Sequence, residues 1–496
     1  MQLTLERGAD VPLYRQVADQ VRDLIRRGVL SPGSRLPTVR QLARDLGLTR
    51  LTVHSAYGEL HAQGLVEATV GRGTFVAAHP LTVRPTSIRP APAPQPPASW
   101  LSQGDFAELG GMIEQPGLLS FAQAVPAPET YPVRELERAL RVVPADPSAL
   151  SYGPMQGEAA LRGEVSRLLL ERGVIAPPEG VLITSGAQQG IDLVLRAFAA
   201  PHDVVLVEEP TYPGAIELAA QRGQRIVGIP RDEDGLSLTV LEATCQLYHP
   251  RLLYLIPTFH NPSGVSLPEA QRADLLRLAR KHELLLLEDD VYGWLAVDGP
   301  APLPLKAEDE DGQVIYATSF SKALAPGLRL GALVAAETHM PRLVAAKYSS
   351  DLISSPLVQR ALAEYLRRGS LDRHLRHVRV LYGARRDAML DALERFVPGC
   401  AWTRPAGGLS IWLTLPEDAS EREVYAALLA RGVAVAPGRA FFPHPVTRGF
   451  LRLSFGSHPP HEIQRAIEVL GRVLIDQRKR HSEAVARAGR EVAPLV

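Results

Sequence analysis

The chain has 496 residues, 46% hydrophobic and 22% charged, with no net formal charge; this length exceeds one ordinary core and predicts two or more domains. Zero overall charge singles out no partner for the chain as a whole. Two cysteines, Cys245 and Cys400, exclude a disulfide framework and a four-ligand zinc site, and the longest apolar runs are far below the ~20 residues of a membrane span.

The amino-terminal segment lacks the basic-then-apolar pattern of a signal peptide, so a reducing cytoplasm is the expected location. Residues 1–78 hold ten arginines, no lysine and seven acidic side chains, a net charge of +3. This mild excess is compatible with nucleic acid. "PLYRQVADQVRDLIRRG" places Leu13, Val17, Val21 and Ile25 at helical spacing. After the turn "LSPGSRLP", "TVRQLARDLG" reads as a short helix closed by Gly47. "LTRLTVHSAYGELHAQG" reads as a second helix, with Thr49 as its N-cap and Gly64 as its stop. "LVEATVGRGTFV" reads as two short strands around a Gly-Arg-Gly tip.

Two helices joined at a glycine turn predict a helix-turn-helix whose second helix lies in a DNA major groove. Thr49, Arg50, Thr52, His54 and Tyr57 are available there. Arg35 and Arg40 are placed for phosphate or guanine, and Arg72 and Gly73 at the tip for the backbone or minor groove. The alternative is a small three-helix domain with ordinary surface arginines. "GSRLP", "RQLA", "LGLTRLTV" and "GRGTFV" resemble the GntR-family winged helix-turn-helix. The resemblance implies DNA contact by Arg35, Arg40, Thr49, Arg50, Thr52 and the wing. That family most often has Ser at the position of Thr49 and a polar residue at that of Leu51, which leaves base preference open.

Residues 79–104 form a proline-rich linker, with seven prolines between 79 and 99. Such a segment predicts an extended, semi-stiff spacer. From 105 to 475, strands alternate with helices. Apolar runs at 181–184, 204–207, 225–229, 252–256, 284–287, 314–318 and 330–334 read as strands. The alternation predicts an α/β domain with a mostly parallel sheet, ligands at the carboxyl ends of its strands, and a smaller carboxyl-terminal subdomain. Residues 476–496 read as a polar tail, frayed or loosely helical.

Five stretches of the large domain carry chemistry, in chain order. "SGAQQG" (185–190) follows a strand and opens a helix, where backbone N–H groups can seat a phosphate; an ordinary turn reads as well there. "EEPTYPG" puts Tyr212 on a loop, where a plain turn tyrosine is the simpler reading. "PTFHNPSG" puts Asn261 at a strand end, as a donor to a ring hydroxyl or as an Asx turn. "LLLLEDDVY" ends an apolar strand in carboxylates, which favours a functional role for Asp289, with Tyr292 beside it. "SFSKALAPGLRLG" sets Lys322 among Ser319, Ser321 and Arg329, a lysine for a Schiff base beside phosphate donors. Lys281, Lys306, Lys347 and Lys479 read as solvated surface lysines.

Together these motifs resemble fold-type I aminotransferases of class I/II, over roughly 115–475. The resemblance implies pyridoxal 5′-phosphate (PLP), with its Schiff base on Lys322, Asp289 at the pyridine nitrogen and Asn261 and Tyr292 at the ring hydroxyl. It implies Tyr212 stacked on the ring, and Gly186, Ala187, Gln188, Ser319, Ser321 and Arg329 around the phosphate. "SYGPMQG" resembles the segment whose tyrosine, here Tyr152, reaches the phosphate of the partner protomer. "FLRLSF" resembles the segment whose arginine, here Arg452, grips a substrate carboxylate; a plain strand-surface charge is the alternative.

A GntR-type reader, a proline-rich linker and an aminotransferase-like domain in one chain resemble the MocR/GabR family of bacterial transcription regulators. That resemblance implies a homodimer, an operator in double-stranded DNA, association with the nucleoid through it, and an effector that is PLP or an amino compound. No metal and no membrane are implied. An active aminotransferase with a fused autoregulatory DNA-binding domain is the other reading.

Overall fold

The computed structural model describes residues 3, 5, 12–26, 29–31, 33–62, 65–69, 73–77, 117–143, 147–232 and 234–491. The proline-rich linker, Gly64 and Arg72 lie outside them. The chain forms two compact units, Met1–Ala93 and Pro94–Val496. Among the described residues no helix is long and apolar enough to cross a membrane.

The first unit holds helices α1 (Leu13–Arg26), α2 (Val39–Leu46) and α3 (Arg50–Ala62), then the antiparallel pair β1 (Val66–Thr69) and β2 (Gly73–Val76). Thr38 caps α2 by accepting from the Gln41 amide at 3.2 Å, and Gly47, at φ 63°, turns the chain out of it. Thr49 opens α3 in the same way, its hydroxyl accepting from the Thr52 amide at 3.2 Å. Val17, Val21, Leu42, Val53, Ala56, Leu60, Val66 and Val76 form the core.

The second unit is an α/β domain. A short strand, β3 (Leu119–Ser120), and helices α4 (Val133–Val142) and α5 (Ala159–Leu170) precede its main sheet. Then come β4 (Val181–Thr184), α6 (Ala187–Phe198), β5 (Val204–Glu209), α7 (Pro213–Gln221), β6 (Arg225–Asp232), β7 (Gly235–Leu236) and α8 (Leu238–Tyr248). They are followed by β8 (Leu252–Leu255), α9 (Glu269–Lys281), β9 (Leu285–Asp289), β10 (Val314–Ser319), α10 (Phe320–Ala323) and β11 (Gly331–Val334). The sheet order is β4-β11-β10-β9-β8-β5-β6-β7. From β10 to β6 all pairs are parallel, whereas β11 runs antiparallel to both its neighbours. The central strands β8 and β10 are buried along their whole length, as a sheet covered on both faces requires. All seven apolar runs fall on strands of this sheet.

Helices α11 (Met340–Ser350), α12 (Pro356–Arg367) and α13 (Ser370–Phe396) lead to a second, antiparallel sheet. Its strands β12 (Ala401–Trp402), β13 (Ser410–Thr414), β15 (Ala436–Pro437) and β16 (Phe450–Ser454) lie in the order β12-β13-β16-β15. Helix α14 (Glu421–Leu429) and strand β14 (Val433–Ala434) lie between β13 and β15, and β14 pairs with β3. The final helix, α15 (Pro460–Glu491), packs on α13 and α14. It runs unbroken through residue 475, so the polar segment from 476 continues the same helix as far as Glu491.

Candidate cofactor site and nucleic-acid interface

In the first unit, the exposed side of α3 presents Arg50, Leu51 and His54, with Thr49 just before it. Thr52 is half-buried, its hydroxyl 2.8 Å from that of Thr49. Arg35 and Arg40 are both exposed. The Arg35 guanidinium lies 6.0 Å from the Phe75 ring, beneath the hairpin. A Cβ on Gly73, at φ 116°, would come within 2.9 Å of Arg35 Nε, so glycine is what lets the arginine pass there. Tyr57 corrects the sequence expectation. It is buried in the core, and its hydroxyl donates to the Pro37 carbonyl at 2.8 Å. The stripe Val53, Ala56, Tyr57, Leu60 already carries that signal.

In the second unit, a cavity of about 560 Å³ opens at the carboxyl ends of the parallel strands. It is lined by residues from nearly every motif singled out above: Ala187 and Gln188 after β4, Tyr212 after β5, Asn261 after β8, Asp289 and Tyr292 at the end of β9, and Ser319, Ser321, Lys322 and Arg329 after β10. Arg452 enters from β16. The motifs of the main sheet meet here because its parallel strands bring their carboxyl ends to one edge, whereas Arg452 comes from within a strand of the second sheet.

The pleat selects one carboxylate from the run 288–290. Glu288 points away and accepts from the Leu305 and Lys306 amides at 2.7 and 2.8 Å. Asp290 accepts from the Tyr316 hydroxyl at 2.8 Å and pairs with Arg172 at 3.2 Å. Asp289 alone of the three lines the cavity. Its Oδ2 accepts from the Tyr254 hydroxyl at 2.8 Å, and its Oδ1 is buried without a partner. Burial pushes its pKa up to about 7, against the opposing Tyr254 hydrogen bond.

Lys322 Nζ donates to the Ala124 carbonyl at 2.7 Å. Burial, and next the positive charge of Arg452, depress its pKa to about 8. The lysine is therefore closer to its nucleophilic, neutral form than an exposed one. Burial raises the pKa of Tyr292, and pushes that of Tyr212 up to about 12, so both stay neutral phenols. The Tyr212 hydroxyl donates to Gln188 Oε1 at 2.9 Å.

Around the start of α6, Gly186 adopts φ 91° and no side chain caps the helix. A Cβ there would come within 3.0 Å of Arg329 Nη2. Arg329 Nη2 donates to the Ser185 carbonyl at 3.1 Å. Ser319 accepts from the Ser321 amide at 3.1 Å, and the two hydroxyls lie 3.0 Å apart. Uncapped N–H groups, a guanidinium and two hydroxyls thus converge, a donor set suited to a phosphate.

Arg452 is buried and makes no ion pair among the described residues. Nη1 donates to Asn261 Oδ1 at 3.0 Å, Nη2 to the Ala122 carbonyl, and Nε has no partner. The guanidinium lies 5.2 Å from the Phe441 ring, and burial lowers its pKa. This is not a strand-surface charge. Tyr152 stands apart: 85% exposed, it does not line this cavity.

Sequence reasoning missed Tyr254, Phe441 and the stretch from Ala122 to Val125, which supplies the carbonyl acceptors for Arg452 and Lys322. It also misplaced two lysines. Lys347 has no exposed surface, and its ammonium sits among Asp351, Ser354 and Gln189. Lys306 is half-buried and bonds Asp309 and the Val314 carbonyl, each at 2.8 Å. Lys281 and Lys479 are exposed as expected.

Known proteins place this geometry. Residues 13–76 match the bacterial regulatory proteins of the gntR family, and residues 125–470 match aminotransferase class I and II. The chain is 32% identical over 460 residues to the HTH-type transcriptional regulator YisV of Bacillus subtilis, covering 90% of this chain and 93% of that one. It is 37% identical over 390 residues to aromatic-amino-acid aminotransferase 1 of Thermococcus litoralis, covering 77% of this chain and 93% of the other. A crystal structure of the α-aminoadipate aminotransferase LysN from Thermus thermophilus, complexed with N-(5'-phosphopyridoxyl)-L-leucine, superposes with a TM-score of 0.69 at 36% identity. That match covers 75% of this chain and 97% of the other. The unpartnered Asp289 Oδ1 and the donor set at α6 fit the pyridine nitrogen and the phosphate of PLP, the cofactor of the class I/II aminotransferase fold. With a gntR reader joined to that fold, and a transcriptional regulator matched over nine-tenths of its length, this chain belongs to the MocR/GabR family of PLP-dependent transcription regulators.

Proposed function

We propose that the second unit is a sensor. It holds PLP on Lys322 and takes an amino compound with an anionic group on Arg452, and the occupancy of the cavity sets the operator affinity of the reader. The observation that carries this is the orphaned Asp289 Oδ1, in one cavity with a depressed lysine and an unpaired buried arginine. An anionic carboxylate there holds the ring nitrogen in its protonated form, and Tyr254 keeps the carboxylate oriented. When bound, PLP supplies a carbonyl carbon open to amines and a ring that withdraws electrons.

Tyr212 covers one face of the cavity, Asn261 and Tyr292 address the ring oxygen, and the turn at 186–188 with Ser319, Ser321 and Arg329 holds the phosphate. Lys322, held against the Ala124 carbonyl, needs only to lose a proton to act. Arg452, with Nε free, offers a carboxylate two parallel N–H groups. In the reader, Thr49, Arg50, Thr52 and His54 face the major groove, while Arg35, Arg40, Arg72 and Gly73 serve the backbone or minor groove. A ligand shifts DNA affinity only by its unequal affinity for two arrangements of the protein.

The protein acts as a homodimer in this reading. Tyr152, exposed and away from the cavity of its own chain, serves the phosphate of the partner protomer. Mixing Tyr152→Phe with Lys322→Ala protomers tests this: each species binds PLP poorly alone, and mixed dimers regain one sound site. No recovery on mixing would sink the shared-site arrangement.

One observation favours a working aminotransferase: Lys322, Asp289 and Arg452 all meet in the cavity. The test is incubation of the PLP-loaded protein with amino acids and 2-oxoglutarate, alongside operator titration. The sensor reading expects a change in operator affinity without multiple turnovers. Repeated turnover to a new amino acid, with no change in DNA binding, would overturn it.

A further inference from the structure

Lys347 on α11 is the most completely buried ammonium of the described residues outside the cavity, at 0% exposure. Its Nζ donates to Asp351 Oδ1 and Oδ2 at 2.8 and 3.0 Å, to Ser354 Oγ at 3.1 Å and to Gln189 Oε1 at 3.2 Å. Two of those acceptors also hold Ser185. Asp351 Oδ2 accepts from the Ser185 hydroxyl at 3.1 Å, and Gln189 Oε1 accepts from the Ser185 amide at 2.7 Å. Arg329 takes the Ser185 carbonyl at 3.1 Å. Every polar group of Ser185 is therefore fixed, and two of them are fixed by groups that Lys347 itself orients.

Ser185 is the last residue before the turn that opens α6. Its neighbour Gly186 sits at φ 91°, in the left-handed region, and is followed at once by the first amides of the helix. Rotation at Ser185 turns those amides together and re-aims them as a group. A buried ion pair contributes little net stability against apolar residues of the same volume, so packing alone gives no reason for an ammonium here. What a satisfied buried network does supply is a single geometry.

We propose that Lys347 is a positioning residue for the cofactor phosphate: through Asp351 and Gln189 it holds Ser185, and with it the turn at 186–188, in the shape that aims backbone N–H groups at one anion. The proposal rests on the reading that this turn seats the PLP phosphate. Lys347 touches no ligand, and its effect is preorganisation of donors that do.

The test compares PLP with pyridoxal, which lacks the phosphate, by equilibrium dialysis against the full-length apoprotein. Wild type should bind PLP more tightly than pyridoxal. Lys347→Met should weaken PLP about tenfold, the cost of loosened hydrogen bonds to a charged group, and leave pyridoxal within about twofold. Asp351→Asn, which weakens the same link, should repeat the pattern, and it decides the matter if Lys347→Met does not fold. If both ligands weaken together, or the PLP preference survives in the variants, Lys347 does not position the phosphate. If wild type itself shows no preference for PLP, the turn is not the phosphate seat, and that earlier reading fails first.

Discussion

Tyr254 donates its hydroxyl to Oδ2 of Asp289 at 2.8 Å, and Oδ1 of the same carboxylate is buried with no partner. The two residues lie on adjacent parallel strands, β8 and β9, with side chains on the same face. One oxygen is thus reserved for the protein and the other is left for a ligand.

The first prediction concerns Asp289→Asn. The folded pKa of about 7 lies above the ordinary value of 3.8, so the folded protein holds a proton that the unfolded chain has lost. This residue is least costly below the unfolded pKa, and the advantage is lost as pH rises through about 7. The apo variant should therefore gain on apo wild type between about pH 4 and pH 7, by up to about 4 kcal/mol, with no further change above. Denaturant titrations across that range measure the gap. The same variant should lose most of its PLP affinity, since a neutral amide no longer favours the protonated ring nitrogen.

The second concerns Lys322. Its pKa of about 8 is set first by burial and then by Arg452. Only the neutral amine attacks a carbonyl, so the rate of PLP capture by the apoprotein should rise with pH to a midpoint of about 8. A midpoint near 10.5, the ordinary lysine value, would remove burial as the cause. Lys322→Ala should abolish the covalent, borohydride-reducible adduct while leaving operator binding measurable.

Much of this was legible in the sequence, because period and strand-end chemistry are local. The run "LLLLEDDVY" announced a carboxylate, and the two-residue period of a strand leaves Asp289 facing opposite to Glu288. Lys347 was not legible. With Asp351 four residues on, it has the pattern of an exposed i,i+4 ion pair, and no local signal reports that Ser185 and Gln189 lie opposite. Tyr254 escaped for a related reason: its value depends on the register between two strands. Tyr57 was different, since its place in a buried helical stripe could have been read.

The third prediction separates the two ends of an effector. Arg452 keeps Nε free and its guanidinium over Phe441. Arg452→Ala should weaken amino compounds that carry a carboxylate by about a hundredfold, the loss of two charge-assisted hydrogen bonds. Amines without an anionic group should be nearly unaffected. Arg452→Lys should recover little, because a point charge does not reproduce the planar fork. Competition between such ligands, read from the cofactor absorbance, checks all three statements.

The fourth sets Arg50 against Tyr57 in the reader. Arg50 is exposed at the start of α3, whereas Tyr57 is buried and tied to the Pro37 carbonyl at 2.8 Å. Arg50→Ala should weaken operator binding by about tenfold or more, through lost base or phosphate contacts, with PLP absorbance unchanged. Tyr57→Phe removes one buried hydrogen bond and should cost the first unit about 1 kcal/mol of stability, with operator affinity close to wild type at temperatures where the unit is folded. If Tyr57→Phe instead cost operator affinity without stability, its hydroxyl would have to leave Pro37 when DNA binds, and α3 would not dock as the helix seen in this structure.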